Sequence, residues 1–164
     1  MKNIVILVSG NGSNLQRIID CVENGEIAGA KISIVVADRD CFGLERARNY
    51  QIPTKLIPRG KNFSDILRKS IPKNTDLIVL AGFLSILSKD FWETFSGKII
   101  NIHPSLLPKF GGKGMYGHRV REAVLDANEK ESGARVHYVT YGIDDGKIIL
   151  QNSFPMAENE TAET

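Results

Sequence analysis

Two side chains suited to polar catalysis, Asn101 and His103, lie two residues apart in the segment NIHPS (residues 101–105), at the end of an apolar, strand-like run. If the strand extends through both residues, their side chains point to the same side, because successive side chains alternate between the two faces. An amide can donate a hydrogen bond to a developing oxyanion, and an imidazole changes its charge near neutral pH. Pro104 cannot continue the hydrogen-bonding ladder. The segment therefore predicts a polar pair at the end of a strand, where α/β proteins bind ligands.

A carboxylate that could assist the imidazole comes from Asp144, in the turn YGIDDG (residues 141–146). This turn joins two strand-like runs, and the hairpin could fold back over the end of the sheet that carries His103. Plainer interpretations remain open. His103 could end its strand as an ordinary polar residue, and Asp144 and Asp145 could be ordinary turn residues, since turns are rich in Asp.

The glycine-containing loop SGNGSN (residues 9–14) follows the first apolar run and opens an amphipathic stretch at helical spacing. Unpaired amide groups at the start of a helix, together with the positive end of its dipole, form a site for a phosphate or a carboxylate. The loop is not a dinucleotide-binding fingerprint, because Leu15 replaces the third glycine. The alternative is a tight turn in which Ser13 or Asn14 caps the helix.

The other histidines and the cysteines give no further site. His118 is predicted at a helix start and His137 within a strand, and neither has an adjacent chemical partner in the sequence, so both rank below His103 as catalytic groups. Cys21 and Cys41 are the only cysteines, and they form no CxxC pair. The pattern predicts neither a disulfide framework nor a metal site, and it favours a cytoplasmic location.

Length and composition favour one packed domain that binds small molecules. The chain has 164 residues, 42% of them hydrophobic, which is enough for a core with helices around a sheet. Its 21 Lys and Arg residues nearly balance its 19 Asp and Glu residues, so the net charge of +2 predicts no binding to nucleic acid or to a membrane. The first apolar run, residues 3–8, is too short for a signal peptide or a membrane span. None of these quantities indicates an oligomeric state.

Strand-like apolar runs alternate with amphipathic stretches at helical spacing, which predicts right-handed βαβ units and a parallel sheet. The last two runs flank the turn at 141–146 and predict an antiparallel pair. The fold class is therefore α/β, with a Rossmann-like open, mostly parallel sheet flanked by helices and an antiparallel hairpin toward the C-terminal end. The predicted strands are residues 3–8, 31–37, 54–58, 76–82, 98–102, 134–140 and 147–154, and helices are predicted to begin near residues 14, 42, 62, 88 and 118.

Five segments occur in a diagnostic order, namely VSGNGSNLQ, FGLERAR, LAGFLSILS, NIHPSLLPKF and VHYVTYGIDDGKIILQ. Together they resemble the phosphoribosylglycinamide formyltransferase family, and the resemblance runs from about Lys2 to the chain end. It implies an enzyme of de novo purine biosynthesis that transfers the formyl group of 10-formyltetrahydrofolate, a co-substrate, to the amino group of glycinamide ribonucleotide. The resemblance implies no metal and no covalent enzyme intermediate.

The same resemblance implies roles for individual residues. Asn101 and His103 stabilise the oxyanion that forms when the amine attacks the formyl carbon, while Asp144 favours the imidazolium form of His103 and helps to receive the amine's proton. The implied phosphate site consists of Gly12, Ser13 and Asn14. The implied pterin site consists of Leu84, Ser85, Ile86, Leu87, Asn101, Thr140, Tyr141, Gly142, Ile143 and Asp144.

Some features depart from the family pattern. Ser85 stands where many relatives have Arg, Arg135 stands where they commonly have Ser or Thr, and the loop GGKGMYG (residues 111–117) is longer than in many members. Residues 159–164 resemble the first turn of a helix, and the family continues into a helical segment. We therefore expect residues 1–164 to form a single formyltransferase domain that lacks its C-terminal helical segment.

Two other functions remain compatible with the sequence. A formyltetrahydrofolate hydrolase resembles this family in its catalytic segment but uses water as the acceptor. A non-catalytic module that binds folate or a nucleotide would keep the anion loop without the chemistry. Turnover of the folate without any amine would indicate the hydrolase, and ligand binding without turnover would indicate the module.

Overall fold

The computed structural model of the protein describes residues 1–106, 118–140 and 146–156, and the chain divides into two compact units, Met1–Ile99 and Ile100–Thr164. The first unit alternates strands and helices, as the apolar periodicity predicts. Its strands are β1 (Lys2–Val8), β2 (Ala30–Ala37), β3 (Thr54–Leu56) and β4 (Leu77–Leu80). Its helices are α1 (Ser13–Glu23), α2 (Phe42–Asn49), α3 (Phe63–Ser70) and α4 (Lys89–Thr94).

The strands of the first unit pair in parallel in the order β3-β2-β1-β4. Right-handed crossovers, the rule for parallel strands, place α1 and α2 on one face of this sheet and α3 on the other. The direction of strand addition reverses between β1 and β4. In open α/β sheets, the carboxyl ends of the two strands at such a reversal are where ligands bind.

Apolar, largely β-branched residues make β1 the buried centre of the first unit. Every residue from 3 to 8 is buried, as expected of a parallel strand that is covered on both faces. Leu15 and Ile19 lie one turn apart on α1 and are both buried, so they form its core-facing stripe. The core therefore holds β1 rigidly, and the loop that follows β1 starts from a fixed point.

The second unit contains β5 (Lys98–His103), which begins in the last residues of the first unit, followed by α5 (His118–Asp126), β6 (Glu131–Tyr138) and β7 (Ile148–Pro155). Its strands pair antiparallel in the order β5-β6-β7. Strand β6 begins at Glu131, three residues before the predicted start. The difference lies at Gly133, a residue type that is uncommon within strands but belongs to β6 here. A Cβ atom there would overlap the backbone carbonyl oxygen of Asn152 on β7, so only glycine fits this paired position.

The predicted α/β fold is confirmed, with its mostly parallel strands, its flanking helices and its antiparallel hairpin toward the C-terminal end. The loop at 111–117, residues 141–145 of the predicted turn and the helix-like end at 159–164 lie outside the described residues. Among the helices that are described, none is both long and apolar enough to cross a membrane.

Asp76 ties the beginning of β1 to the beginning of β4. Its carboxylate accepts hydrogen bonds from Lys2 Nζ at 2.7 Å and from the Asn3 backbone N–H at 2.8 Å, and its own N–H donates to Asn3 O at 3.0 Å. The bond from Lys2, followed by the bond from the Asn3 amide, lowers the pKa of Asp76 below its usual value. These contacts fix the register in which the two strands run to their carboxyl ends.

Replacing Asp76→Asn is expected to destabilise the fold at neutral pH, because the amide cannot form the ion pair with Lys2. A carboxyl whose pKa is lower in the folded chain stabilises the fold above its unfolded pKa of about 4, and this stabilisation is lost as the pH falls through the folded pKa. The difference in free energy of unfolding between wild type and variant should therefore be constant from about pH 5 to about pH 7 and shrink below about pH 4. Urea denaturation across this range measures it, with exposed Asp40→Asn as the control. A difference that persists undiminished at about pH 3 would contradict the assignment.

Candidate active site

The anion loop begins α1 through the backbone of Gly12. Gly12 is the N-cap, with φ 74° and ψ 30°, and no side chain caps the helix, so the alternative in which Ser13 or Asn14 is the cap is wrong. A left-handed residue at the N-cap lets helical geometry begin at Ser13, so the side chains of Ser13 and Asn14 lie within the first turn and are exposed. The amide groups of this first turn are the ones that a helix leaves without intrahelical partners.

The same loop rests on the first turn of α2. Gly43 N–H donates to Gly10 O at 3.1 Å, and a Cβ atom on Gly12 would lie only 2.8 Å from Gly43 Cα. Glycine is therefore required at position 12 both for its positive φ and for this close approach. The glycine spacing predicts the loop. The position of the loop against α2 depends on a contact between segments that are distant in the sequence, which the spacing does not show.

The segment predicted to bind the pterin, residues 84–87, follows β4 and is tied to the end of β1. Buried Ser9 accepts a hydrogen bond from Leu84 N–H at its Oγ, 2.8 Å away, and donates its own N–H to Gly82 O at 3.2 Å. Leu87 is buried, whereas Ile86 is 76% exposed. The segment thus has a fixed backbone and one outward apolar side chain, at the carboxyl end of β4 beside the reversal of strand order.

Ser85 is bound to Asp38, which directly follows β2. Its hydroxyl donates to Asp38 Oδ2 at 2.6 Å, and the same carboxylate forms ion pairs with Arg39 Nε at 3.0 Å and Arg59 Nε at 2.7 Å. The Asp38 side chain is fully buried, whereas 39% of Arg39 and 48% of Arg59 are exposed. A buried carboxylate needs such compensation, and here two cations and a hydroxyl supply it. The sequence carries only one signal of this cluster, a charged residue directly after the apolar end of β2.

The second unit contains the predicted polar pair. Strand β5 runs one residue beyond its predicted end and includes both Asn101 and His103, and the antiparallel register sets Asn101 opposite His137 and His103 opposite Arg135. Directly paired residues share a face of an antiparallel sheet, so these four side chains lie on one face. The structure therefore brings Asn101 and His103 together and adds a second histidine and an arginine beside them.

His137 orients the amide of Asn101. Its Nδ1 lies 3.0 Å from Tyr138 O, which can only accept, so Nδ1 carries the proton in the neutral ring. Nε2 is then an acceptor, and Asn101 Nδ2, 3.3 Å away, donates to it. His137 is fully buried, so this contact holds the amide in one orientation. The local sequence pattern favours His103 over His137 as a catalytic group. It does not show the strand register that sets His137 opposite Asn101.

His103 is 4% exposed, and Arg135 opposite it is also buried. Exclusion of water from such buried groups strengthens their hydrogen bonds to a charged substrate atom. Thr140 lies two residues beyond β6 and is exposed. The remaining predicted site residues, Tyr141, Gly142, Ile143 and Asp144, lie outside the described residues, as does the side chain of His118. Within the described part of the chain, no group of three or more His, Cys, Asp or Glu side chains could hold a metal ion.

Gly12→Ala is expected to lower the free energy of unfolding by at least about 1 to 2 kcal/mol, because alanine at a positive φ brings its Cβ against the following carbonyl. The contact with Gly43 Cα adds to that cost. Gly10→Ala is the matched control, since its φ is not positive and a Cβ there would meet nothing within 4 Å. Thermal or urea unfolding of the two variants compares them. Equal stability of both variants would show that the loop does not need glycine at position 12.

Comparison with known proteins identifies the family to which this chain is similar. A family model described as formyl transferase matches residues 2–164. A phosphoribosylglycinamide formyltransferase of Haemophilus influenzae is 42% identical, and the match covers 99% of this chain and 77% of that protein. A chloroplastic protein of the same name from Arabidopsis thaliana is 36% identical, with 99% of this chain and 58% of that protein covered.

A trifunctional purine biosynthetic protein, adenosine-3, of Drosophila pseudoobscura pseudoobscura is 39% identical, with 99% of this chain and 12% of that protein covered. Among solved structures, glycinamide ribonucleotide transformylase 1 from Symbiobacterium toebii is similar at a TM-score of 0.88 and 35% identity, with 99% of this chain and 77% of that one covered. The family match extends over nearly the whole sequence, and the Haemophilus relative is similar over most of its own length. This chain therefore belongs to the formyl transferase family.

Proposed function

We propose that this chain transfers the formyl group of 10-formyltetrahydrofolate to the amino group of glycinamide ribonucleotide, in purine biosynthesis. The names of its relatives support this reaction. The observation that carries it is the pair Asn101 and His103 on one face of β5, with the amide held by His137. An oriented amide donor beside an imidazole can stabilise the oxyanion that forms in acyl transfer to an amine.

The reaction begins when the lone pair of the neutral amine attacks the formyl carbon. The carbonyl oxygen then gains the electron pair of its π bond and becomes an oxyanion on a tetrahedral carbon. Asn101 Nδ2 carries two hydrogens, of which one donates to His137 Nε2 and the other is assigned to the oxyanion. Since His137 already holds the amide, no rotation of Asn101 is needed as the charge develops, which is the advantage of a preorganised donor.

His103 is assigned a second hydrogen bond to the same oxyanion, and this bond is stronger when the imidazole is protonated. Asp144 is proposed to favour the imidazolium and to receive, directly or through water, the proton that the attacking amine must lose. An electron pair on the oxyanion then re-forms the C=O π bond, and the tetrahedral carbon breaks its bond to the folate nitrogen. That nitrogen leaves with the bonding pair and takes up a proton, so the products are the formylated ribonucleotide and tetrahydrofolate.

Substrate binding is assigned to the other predicted residues. The amides of Gly12, Ser13 and Asn14 are proposed to bind the phosphate of the ribonucleotide, in keeping with the exposed first turn of α1. Residues 84–87 are proposed to bind the pterin, since they offer an apolar side chain on a fixed backbone. Asn101 and residues 140–144 are assigned to the same folate by resemblance to the family alone.

The cytoplasmic location, the lack of a metal and the lack of nucleic-acid or membrane partners stay predictions. The interpretation of residues 1–164 as a single formyltransferase domain without its C-terminal helical segment also stays a prediction.

The purified chain should convert 10-formyltetrahydrofolate to tetrahydrofolate only when glycinamide ribonucleotide is present, as followed by the absorbance change of the folate. No turnover that depends on the ribonucleotide would refute the proposal. Equal turnover in the absence of any amine would instead identify a hydrolase.

His103→Ala and Asp144→Asn are each expected to lower kcat by about 100-fold or more, the range found when a positioned acid or base is removed. Their far-ultraviolet circular dichroism should match that of the wild type. Asp145→Asn is a matched control, because it makes the same change one residue further along the same turn and should retain activity. A near-normal kcat for either test variant would remove that residue from the mechanism.

A further inference from the structure

We propose that Arg46 is a positioning residue for the anion loop, and that it sets the loop's affinity for the phosphate of the ribonucleotide by fixing the peptide unit that joins Asn11 to Gly12. The inference rests on the proposed function, which assigns the phosphate to Gly12, Ser13 and Asn14. The ligand-binding and catalytic residues predicted from the sequence do not include Arg46. It lies on α2, the helix that supports the loop.

One guanidinium group makes three hydrogen bonds around the loop. Arg46 Nε donates to Asn11 O at 2.8 Å, Nη2 donates to Asn11 Oδ1 at 3.3 Å, and Nη1 donates to Gln16 Oε1 at 3.3 Å. The first two bonds bind the backbone and the side chain of the same residue. The third reaches Gln16, the fourth residue of α1, so the side chain spans the loop and the helix that the loop begins.

The face of the guanidinium is also held. Its central carbon lies 4.8 Å from the centroid of the Phe42 ring, which begins the same helix. Gly43, between Phe42 and Arg46 on α2, supplies the close backbone contact with Gly12. The N-terminal half of α2 therefore supports the loop by shape at Gly43 and by directed hydrogen bonds at Arg46.

The bond to Asn11 O matters because Asn11 C=O and Gly12 N–H belong to one planar peptide unit. In a trans peptide these two groups point in opposite directions. By holding the carbonyl on the side of α2, Arg46 points the Gly12 N–H away from α2. A cation on the carbonyl also polarises the peptide, which makes its N–H a better donor. Without Arg46 this unit can rotate, because glycine tolerates many backbone angles.

The test uses two variants. Arg46→Lys keeps the positive charge but cannot bind both Asn11 oxygens with a rigid fork. Arg46→Ala removes both the charge and the hydrogen bonds. For both variants, the KM for glycinamide ribonucleotide should rise about tenfold, while kcat and the KM for the folate stay within about twofold. The inhibition constant of inorganic phosphate should rise by the same factor as the KM. Arg48→Ala, an exposed arginine on the same helix, is the control for lost charge and should change none of these values.

A KM and a phosphate inhibition constant at wild-type values in Arg46→Lys would overturn the inference. A parallel loss of kcat and of affinity for both substrates would also overturn it, because it would indicate general damage to the fold. If Arg46→Ala does not fold, Arg46→Lys alone decides.

Titration of the ¹⁵N-labelled wild type and Arg46→Lys with inorganic phosphate separates this inference from the proposed function, because it needs no turnover. Phosphate should shift the Gly12, Ser13 and Asn14 amide signals of the wild type, with about tenfold weaker affinity in the variant. If the wild type shows these shifts but no turnover, the proposed function fails and the role of Arg46 stands. If phosphate shifts no loop amide, or binds both proteins equally, the role of Arg46 is refuted.

Discussion

The antiparallel register between β5 and β6 is the constraint on which the candidate catalytic centre depends. It sets Asn101 opposite His137 and His103 opposite Arg135, so all four side chains lie on one face. Because side chains alternate along a strand, a slip of one residue would turn the Asn101 and His103 pair away from His137 and Arg135. The hydrogen bond between Asn101 and His137 at 3.3 Å exists only in the observed register, and it decides which way the amide points.

The first unit uses a different means to hold its candidate site. There the groups assigned to ligands are mostly backbone amides and one exposed apolar side chain, and the polar side chains serve to fix them. Ser9 ties the end of β1 to the segment after β4, and Asp38 binds Ser85 of that segment while being balanced by two arginines. Buried polar contacts of this kind are costly unless every partner is present, so they specify one loop arrangement. Arg46 holds the anion loop through hydrogen bonds to Asn11 that are exposed, in contrast to these buried contacts.

The sequence predicted the parts of the structure that depend on local pattern. Apolar periodicity gave the strands and helices nearly to their ends, and glycine spacing gave the anion loop. The alternation of side chains predicted that Asn101 and His103 would share a face. It did not predict the partner of Asn101, which is 36 residues away, or the bond from Ser85 to Asp38 across 47 residues. Such contacts follow from strand order and register, which are properties of the folded sheet. The predicted start of β6 is too late for a related reason. Glycine has a low propensity for strands, but the packing around Gly133 requires it inside β6.

A crystal structure with glycinamide ribonucleotide and a non-transferring analogue of the formyl folate bound would test the central claim most directly. If Asn101 and His103 act at one formyl group, then Asn101 Nδ2 and a ring nitrogen of His103 will each lie about 2.7 to 3.2 Å from the formyl oxygen. His137 will still accept its hydrogen bond from Asn101. A formyl oxygen bound by other groups, with both side chains beyond hydrogen-bonding distance, would contradict the roles assigned to them.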